Sequence, residues 1–239
     1  MELAAIALVA ALVALAVGVS ERQAGAGTIL VNDDRLNDLL APDAAIEVVA
    51  EGFRFTEGPV WSRDGALLFS DIPANTIFRW DPRTRHVTAY RQPSGNSNGL
   101  TLDREGRVVA CEHTGRRVSR EAADGEWVTL ADRYEGKRLN SPNDLVYRSD
   151  GGLYFTDPPY GLPRLEEDPA RELPFCGVYR RDPDGTLHLL TRDLLRPNGL
   201  AFSPDERTLY IADSSDRKHV RAFAVAEDGT LVGEGPVFA

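Results

Sequence analysis

Four variants of one short pattern recur along the chain, and this recurrence limits the possible folds more than any single motif does. Glu57-Gly58-Pro59-Val60-Trp61 leads to the apolar run Leu67-Leu68-Phe69-Ser70-Asp71 and then to Ile77-Phe78-Arg79-Trp80-Asp81. Asn98-Gly99-Leu100-Thr101-Leu102-Asp103 precedes Arg107-Val108-Val109-Ala110-Cys111, and Asn143-Asp144-Leu145-Val146 precedes Leu153-Tyr154-Phe155-Thr156-Asp157. A fourth copy, Asn198-Gly199-Leu200-Ala201-Phe202, precedes Leu209-Tyr210-Ile211-Ala212-Asp213. The intervals lie close to the period of about 40–50 residues typical of four-stranded propeller blades. The expected fold is therefore an all-β propeller with about four blades in this chain. The turn signals Arg63-Asp64-Gly65, Arg104-Glu105-Gly106, Ser149-Asp150-Gly151 and Pro204-Asp205-Glu206 fall between the first and second strand of each unit.

First strands of propeller blades line the central channel, so Glu57, Asn98, Asn143 and Asn198 are expected to point at one axis. Glu57 precedes Gly-Pro, which fixes the backbone and leaves the carboxylate at a strand head. Buried without partners, it would cost several kcal/mol. A cation shared with Asn143 and Asn198 removes that cost, and oxygen ligands converging from separate blades suit Ca²⁺. The alternative is that neighbouring backbone amides satisfy Glu57.

The net charge of −10 argues against a nucleic-acid partner. Cys111 and Cys176, the only two cysteines, cannot form a disulfide scaffold and are expected to be unpaired. Without a CxxC or Cys/His cluster, a structural zinc site is not expected.

Leu3 to Val19 is uncharged, and Ala24-Gly25-Ala26 resembles a signal cleavage site, although only Met1-Glu2 precedes the apolar run. Residues 1–26 are expected to form an export signal or an anchor, which would make the protein extracytoplasmic, periplasmic or secreted. If the segment is neither, the protein is cytoplasmic. No membrane partner beyond such an anchor is expected. Residues 27–50 form a lead-in, with a short helix within Asn32–Leu40 capped by Asp33 or Asp34 and a strand over Ile46–Ala50. Residues 51–239 form the propeller.

The stretch Pro158 to Cys176 interrupts the third unit. It is either a cover for the channel mouth or an inert surface loop. Gly95-Asn96-Ser97-Asn98-Gly99 matches a nucleophile elbow but lacks the strand before it and the helix after it, so Ser97 is not expected to be a nucleophile. His113 is either a general base or substrate partner, or a turn histidine in a polar network. Asp71, Asp157 and Asp213 recur at the ends of second strands and are expected to cap turns.

Five stretches carry a resemblance: Phe55-Thr56-Glu57-Gly58-Pro59-Val60-Trp61, Phe69-Ser70-Asp71-Ile72-Pro73, Leu139-Asn140-Ser141-Pro142-Asn143-Asp144, Tyr154-Phe155-Thr156-Asp157-Pro158-Pro159-Tyr160-Gly161 and Arg196-Pro197-Asn198-Gly199-Leu200-Ala201-Phe202-Ser203-Pro204-Asp205. Together they resemble the SMP-30/gluconolactonase/luciferin-regenerating family of six-bladed propellers, especially its bacterial gluconolactonase branch. The resemblance implies a divalent ion, most simply Ca²⁺, held by Glu57 and Asn198, with Asn143 as metal or substrate ligand and Asp144 as a supporting group or base. It also implies a further aspartate in a Pro-Asp-Gly segment later than the Asn198 segment, which is expected to lie beyond Pro236-Val237-Phe238-Ala239.

For the complete site we expect hydrolysis of a sugar lactone, with an ion polarising the carbonyl and a carboxylate-activated water attacking it. Asn98 and His113 would hydrogen-bond the sugar hydroxyls. The rivals are a non-catalytic ligand-binding propeller and a phosphotriester hydrolase on the same scaffold. A complete ring is expected to be monomeric. Four blades of a six-bladed ring leave it open, and an impaired, truncated chain is the corresponding expectation.

Overall fold

The computed structural model describes residues 20–239, so the apolar stretch Leu3–Val19 lies outside the described residues. The chain divides into two compact units, Met1–Glu51 and Gly52–Ala239. In the first, β1 (Ser20–Ala24) and β2 (Gly27–Val31) form an antiparallel hairpin. A 3₁₀ turn follows at Asp34–Asp38, and the Asp33 side chain accepts from the Arg35 N–H at its start, as expected for a short capped helix. The strand expected over Ile46–Ala50 does not form. Its backbone makes only an isolated bridge, between Ile46 and Gly25, and without a ladder partner the apolar run cannot become a strand. Among the described residues no helix is long and apolar enough to cross a membrane.

The second unit contains four antiparallel four-stranded sheets, each built from consecutive strands. The first blade is β3 (Thr56–Trp61), β4 (Leu67–Asp71), β5 (Thr76–Trp80) and β6 (Val87–Arg91). The second is β7 (Ser97–Leu102), β8 (Val108–Glu112), β9 (Arg117–Glu121) and β10 (Trp127–Ala131). A two-residue pair, β11 (Arg133–Tyr134) and β12 (Lys137–Arg138), leads into the third blade. That blade is β13 (Leu145–Tyr147), β14 (Leu153–Asp157), β15 (Gly177–Arg181) and β16 (Leu187–Thr191), and the fourth is β17 (Pro197–Phe202), β18 (Thr208–Asp213), β19 (His219–Val225) and β20 (Leu231–Val232). The expected all-β propeller arrangement is therefore present, with four blades.

Strand periodicity explains how the blades stack. Alternate side chains of a strand face opposite sides, and a middle strand with a blade on each side must be apolar on both. In β14, Leu153 and Phe155 join a core with Val109, Cys111 and Val118 of the second blade, while Tyr154 joins Leu200, Leu209, Ile211 and Phe223 of the fourth. Leu68 and Ile77 of the first blade pack with Leu100, Val108 and Ala110 of the second. At about 25 cal/mol per Å² of apolar surface removed from water, these shared cores are the main force ordering the blades. Cys111 and Cys176 are both free thiols and buried.

Candidate functional site

The inner strands are not regular ladders. Each of β3, β7 and β17 slips register within its first residues, between Glu57 and Val60, Ser97 and Leu100, and Pro197 and Leu200. A bulge leaves residues out of the pairing and re-aims their side chains, and here the unpaired residues are Asn98-Gly99, Asn198-Gly199 and, directly after Glu57, Gly58-Pro59. Two of these glycines are required by close approach. A Cβ on Gly58, whose φ is +58°, would stand 2.2 Å from the Asn98 carbonyl oxygen, and one on Gly99 would stand 2.6 Å from Asp144 Oδ1. Inner strands are tied to their neighbours at the same level. Gly99 donates to the Asn143 carbonyl at 2.8 Å, Ser70 Oγ donates to the Asn98 carbonyl at 2.8 Å, and Thr156 Oγ1 donates to the Asn198 carbonyl at 2.8 Å.

A cavity of about 320 Å³ lies where the heads meet, lined by Phe55, Glu57, Ile72, Pro73, Asn98, His113, Asn143, Tyr160 and Asn198. The structure thus brings together the Glu57, Asn98, His113, Asn143 and Asn198 expected from sequence. Asp144 is not in the lining. It occupies the position held by glycine in the other three heads, and its Oδ2 accepts the Leu200 N–H at 3.1 Å. Burial pushes its pKa up against hydrogen bonds from Leu145 and Leu200, and the charge of Glu57 raises it further.

Hydrogen bonds orient the amides. Asn98 Nδ2 lies 3.3 Å from His113 Nε2, and burial lowers the His113 pKa to about 4. At neutral pH the ring is uncharged, so Nε2 can accept from Asn98 and leave Asn98 Oδ1 unengaged. Asn198 Nδ2 donates to Ser214 Oγ at 3.2 Å, which likewise leaves Oδ1 for the cavity. Among the described residues no side-chain hydrogen bond or ion pair reaches the Glu57 carboxylate or the buried Asn143 amide. No group of three or more His, Cys, Asp and Glu among the described residues could hold a metal. The available donors are one carboxylate and amide oxygens, a hard-oxygen set that fits Ca²⁺ and not a thiolate- or imidazole-seeking ion.

The interruption of the third blade supplies part of the wall. Tyr160 enters the lining from it, so it is not an inert loop. Tyr160, Ser214 and the rim residues Phe55, Ile72 and Pro73 escape the sequence reading, although Tyr160 follows the Asp-Pro-Pro exit from β14 and Ser214 follows β18 directly. Ser97 is wholly buried on β7 with its Oγ 2.9 Å from Ser70 Oγ, a setting that gives no nucleophile elbow. A second cavity, about 390 Å³, is lined by Glu166, Arg171, Cys176, Arg192 and Arg196 among others, and holds none of the inner-strand heads.

The second-strand ends form another polar layer. Asp71 accepts from the Arg54, Phe55 and Ala74 N–H groups, and Asp213 from those of Leu195, Arg196 and Ser215. These carboxylates mainly fasten the segment entering their own inner strand. Glu112, unremarked in the sequence, holds the same place in the second blade.

Comparison with known proteins fits this geometry. Residues 55–239 match the SMP-30/Gluconolactonase/LRE-like region. The chain belongs to this family. It is 39% identical to the gluconolactonase of Zymomonas mobilis over 203 residues, which cover 79% of this chain and 57% of that protein. The solved gluconolactonase of Xanthomonas campestris superposes with a TM-score of 0.70 at 39% identity, covering 77% of this chain and 63% of the other. A lactonase of Staphylococcus epidermidis is 25% identical over 85% of this chain and 60% of its own length. The chain thus spans about 60% of the curated relatives it matches. A calcium-binding regucalcin from Agrobacterium tumefaciens, 18% identical, shares the fold with a TM-score of 0.63.

Proposed function

We propose that the cavity is a sugar-lactone hydrolase site that uses a divalent ion, Ca²⁺ by its donor chemistry. The observation carrying this reading is the partnerless Glu57 carboxylate sharing one cavity with Asn143 and Asn198, whose amide oxygens can join it around a cation. The gluconolactonase names of the Zymomonas and Xanthomonas relatives support the substrate class.

Glu57, Asn143 and Asn198 would hold the ion. When bound, it supplies Lewis-acid polarisation of the lactone carbonyl. Asn98 and the neutral His113 hydrogen-bond sugar hydroxyls from the wall. Asp144 stands outside the lining with its Oδ2 on the Leu200 N–H, so we assign it as a supporting group beside Asn143, and the proton of the attacking water passes to solvent water in the cavity. The water oxygen bonds to the carbonyl carbon, the ring C–O bond breaks, and a proton reaches the leaving ring oxygen. The product acid ionises and releases one proton to solution.

That proton is the assay. Glucono-lactone presented to the protein at constant pH should consume base faster than its spontaneous opening, and EDTA should abolish the difference. Saturable lactone binding without base uptake would instead favour a recognition channel. Base uptake unaffected by EDTA would remove the ion from the proposal.

A further inference from the structure

The segment between β14 and β15, residues 158–176, crosses from the third blade to the fourth; one short stretch holds both of its ends, and Arg116, Arg138 and Arg196 hold its middle. Asn140 Nδ2 donates to the Asp157 carbonyl at 3.0 Å and to the Phe175 carbonyl at 2.9 Å, thereby gripping both ends of the segment. Its Oδ1 accepts from Arg171 Nε at 3.2 Å. Ser141 Oγ donates to the Pro158 carbonyl and accepts the Gly161 N–H, each at 2.7 Å, which fixes the backbone on both sides of Tyr160. Asn143, three residues after Asn140, lines the cavity.

At its far side the segment meets the fourth blade. Tyr160 OH lies 2.7 Å from Ser214 Oγ, Asn198 Nδ2 lies 3.2 Å from the same oxygen, and Ser214 Oγ lies 3.3 Å from the Arg196 carbonyl. A serine hydroxyl has one proton and two lone pairs. The arrangement closes with Ser214 donating to the Arg196 carbonyl and accepting from both Asn198 and Tyr160. Every donor and acceptor position on that oxygen is then used, and Tyr160 must be the donor. The Glu166 carboxylate of the same segment pairs with Arg196 at 2.7 Å, holding the crossing in place.

We propose that Tyr160 and Ser214 are positioning residues that set the Asn198 amide: the crossing segment of the third blade holds Ser214 in one rotamer, and Ser214 in turn holds Asn198 with Oδ1 directed to the cavity. Without the hydroxyl of Ser214, Nδ2 loses its partner within the described chain and the amide is free to turn over, presenting a donor where an acceptor is needed. The relay itself rests on hydrogen bonds within the chain, and its consequence for cation binding rests on the ion-binding reading above.

The relay is tested in the full chain by following the Asn198 side-chain amide resonances after ¹⁵N-asparagine labelling, with no ion added. Tyr160→Phe and Ser214→Ala should both shift these resonances, and Ser214→Thr, which keeps the hydroxyl, should restore them. Tyr90→Phe, on β6 beside Glu121, should not move them. Resonances unchanged in both Tyr160→Phe and Ser214→Ala overturn the relay, whether or not the protein binds calcium. Calorimetric titration with CaCl₂ then reads the consequence. Ser214→Ala should weaken affinity by about tenfold, within the range for outer partners of metal ligands. Tyr160→Phe should weaken it by roughly threefold, and the double variant should be no weaker than Ser214→Ala alone, because residues acting through one chain are not additive. Independent, multiplying losses overturn the proposed order of action. A parent that binds no calcium defeats the ion reading, while the resonances still decide the relay.

Discussion

Two rings of polar residues run through the same repeated unit, and they are chemically opposite. At the ends of the second strands, Asp71, Glu112, Asp157 and Asp213 are buried and mostly surrounded by donors. Burial pushes the Glu112 carboxyl up, but hydrogen bonds from Arg117 and Ser119, together with the charges of Arg91 and Arg117, outweigh it and hold the pKa below the ordinary range. Asp213 is likewise raised by burial and brought below its ordinary value by Ser215, Leu195 and Arg196. At the heads of the first strands, Glu57 and Asn143 have no such partners among the described residues, while the amide nitrogens of Asn98 and Asn198 are tied off. Buried polar groups that are satisfied build the fold. Polar groups left unsatisfied in a cavity are available to something from outside.

The strongest way to break this contrast is to empty the satisfied ring. Glu112, itself buried, holds the partly exposed Arg91 at 2.9 Å and Arg117 at 2.8 Å. Glu112→Ala leaves both guanidinium groups without their carboxylate and should cost about 3–5 kcal/mol in urea denaturation. A loss under about 1 kcal/mol would show that this ring does not hold the blades.

Asp157 sharpens the comparison because it is the least satisfied member of its ring. Its Oδ2 accepts the Asn140 N–H at 2.8 Å, yet burial lifts its pKa from 3.8 to about 7 despite the hydrogen bonds of Asn140 and Ser141. As pH rises between those values the unfolded chain loses its proton before the folded one does, so this group lowers stability progressively and then by a constant amount above about 7. Asp157→Asn should therefore raise stability at pH 8 by on the order of a few kcal/mol and have little effect at pH 4. Equal effects at both pH values would mean that Asp157 is ionised normally in the fold.

Ser97→Ala should have a smaller effect, about 1 kcal/mol of stability for one buried hydrogen bond. Lactone hydrolysis should stay within a few-fold of the parent. A drop on the order of 10³-fold would restore Ser97 as a nucleophile.

The residues that repeat are those the sequence made legible. The heads at 57, 98, 143 and 198 and the runs behind them recur in order, and their common environment follows from blade geometry alone. Asp144 was visible only as a carboxylate beside Asn143. Its meaning comes from standing where the other heads have glycine, with Gly99 and Gly199 leaving room around it. Glu112 was hidden because it breaks the aspartate pattern of its ring, and Tyr160 and Ser214 because they meet through a crossing segment, which no local period encodes. Ile46–Ala50 was a strand-like run, but a strand requires a partner along its length, and among the described residues only Ile46 has one, at Gly25.

The central claim is that Glu57 is left unpartnered for a cation and not for the fold. Glu57→Gln keeps shape and hydrogen-bonding capacity while removing the charge, so stability should change by less than about 0.5 kcal/mol, as for a substitution that breaks no internal contact. Calorimetric titration of parent and variant with CaCl₂ should show affinity falling by on the order of 100-fold, since replacing a charged ligand with a neutral one weakens a hard-cation site steeply. Calcium affinity that is equal in the two proteins would remove Glu57 from the ion and contradict the account of the cavity.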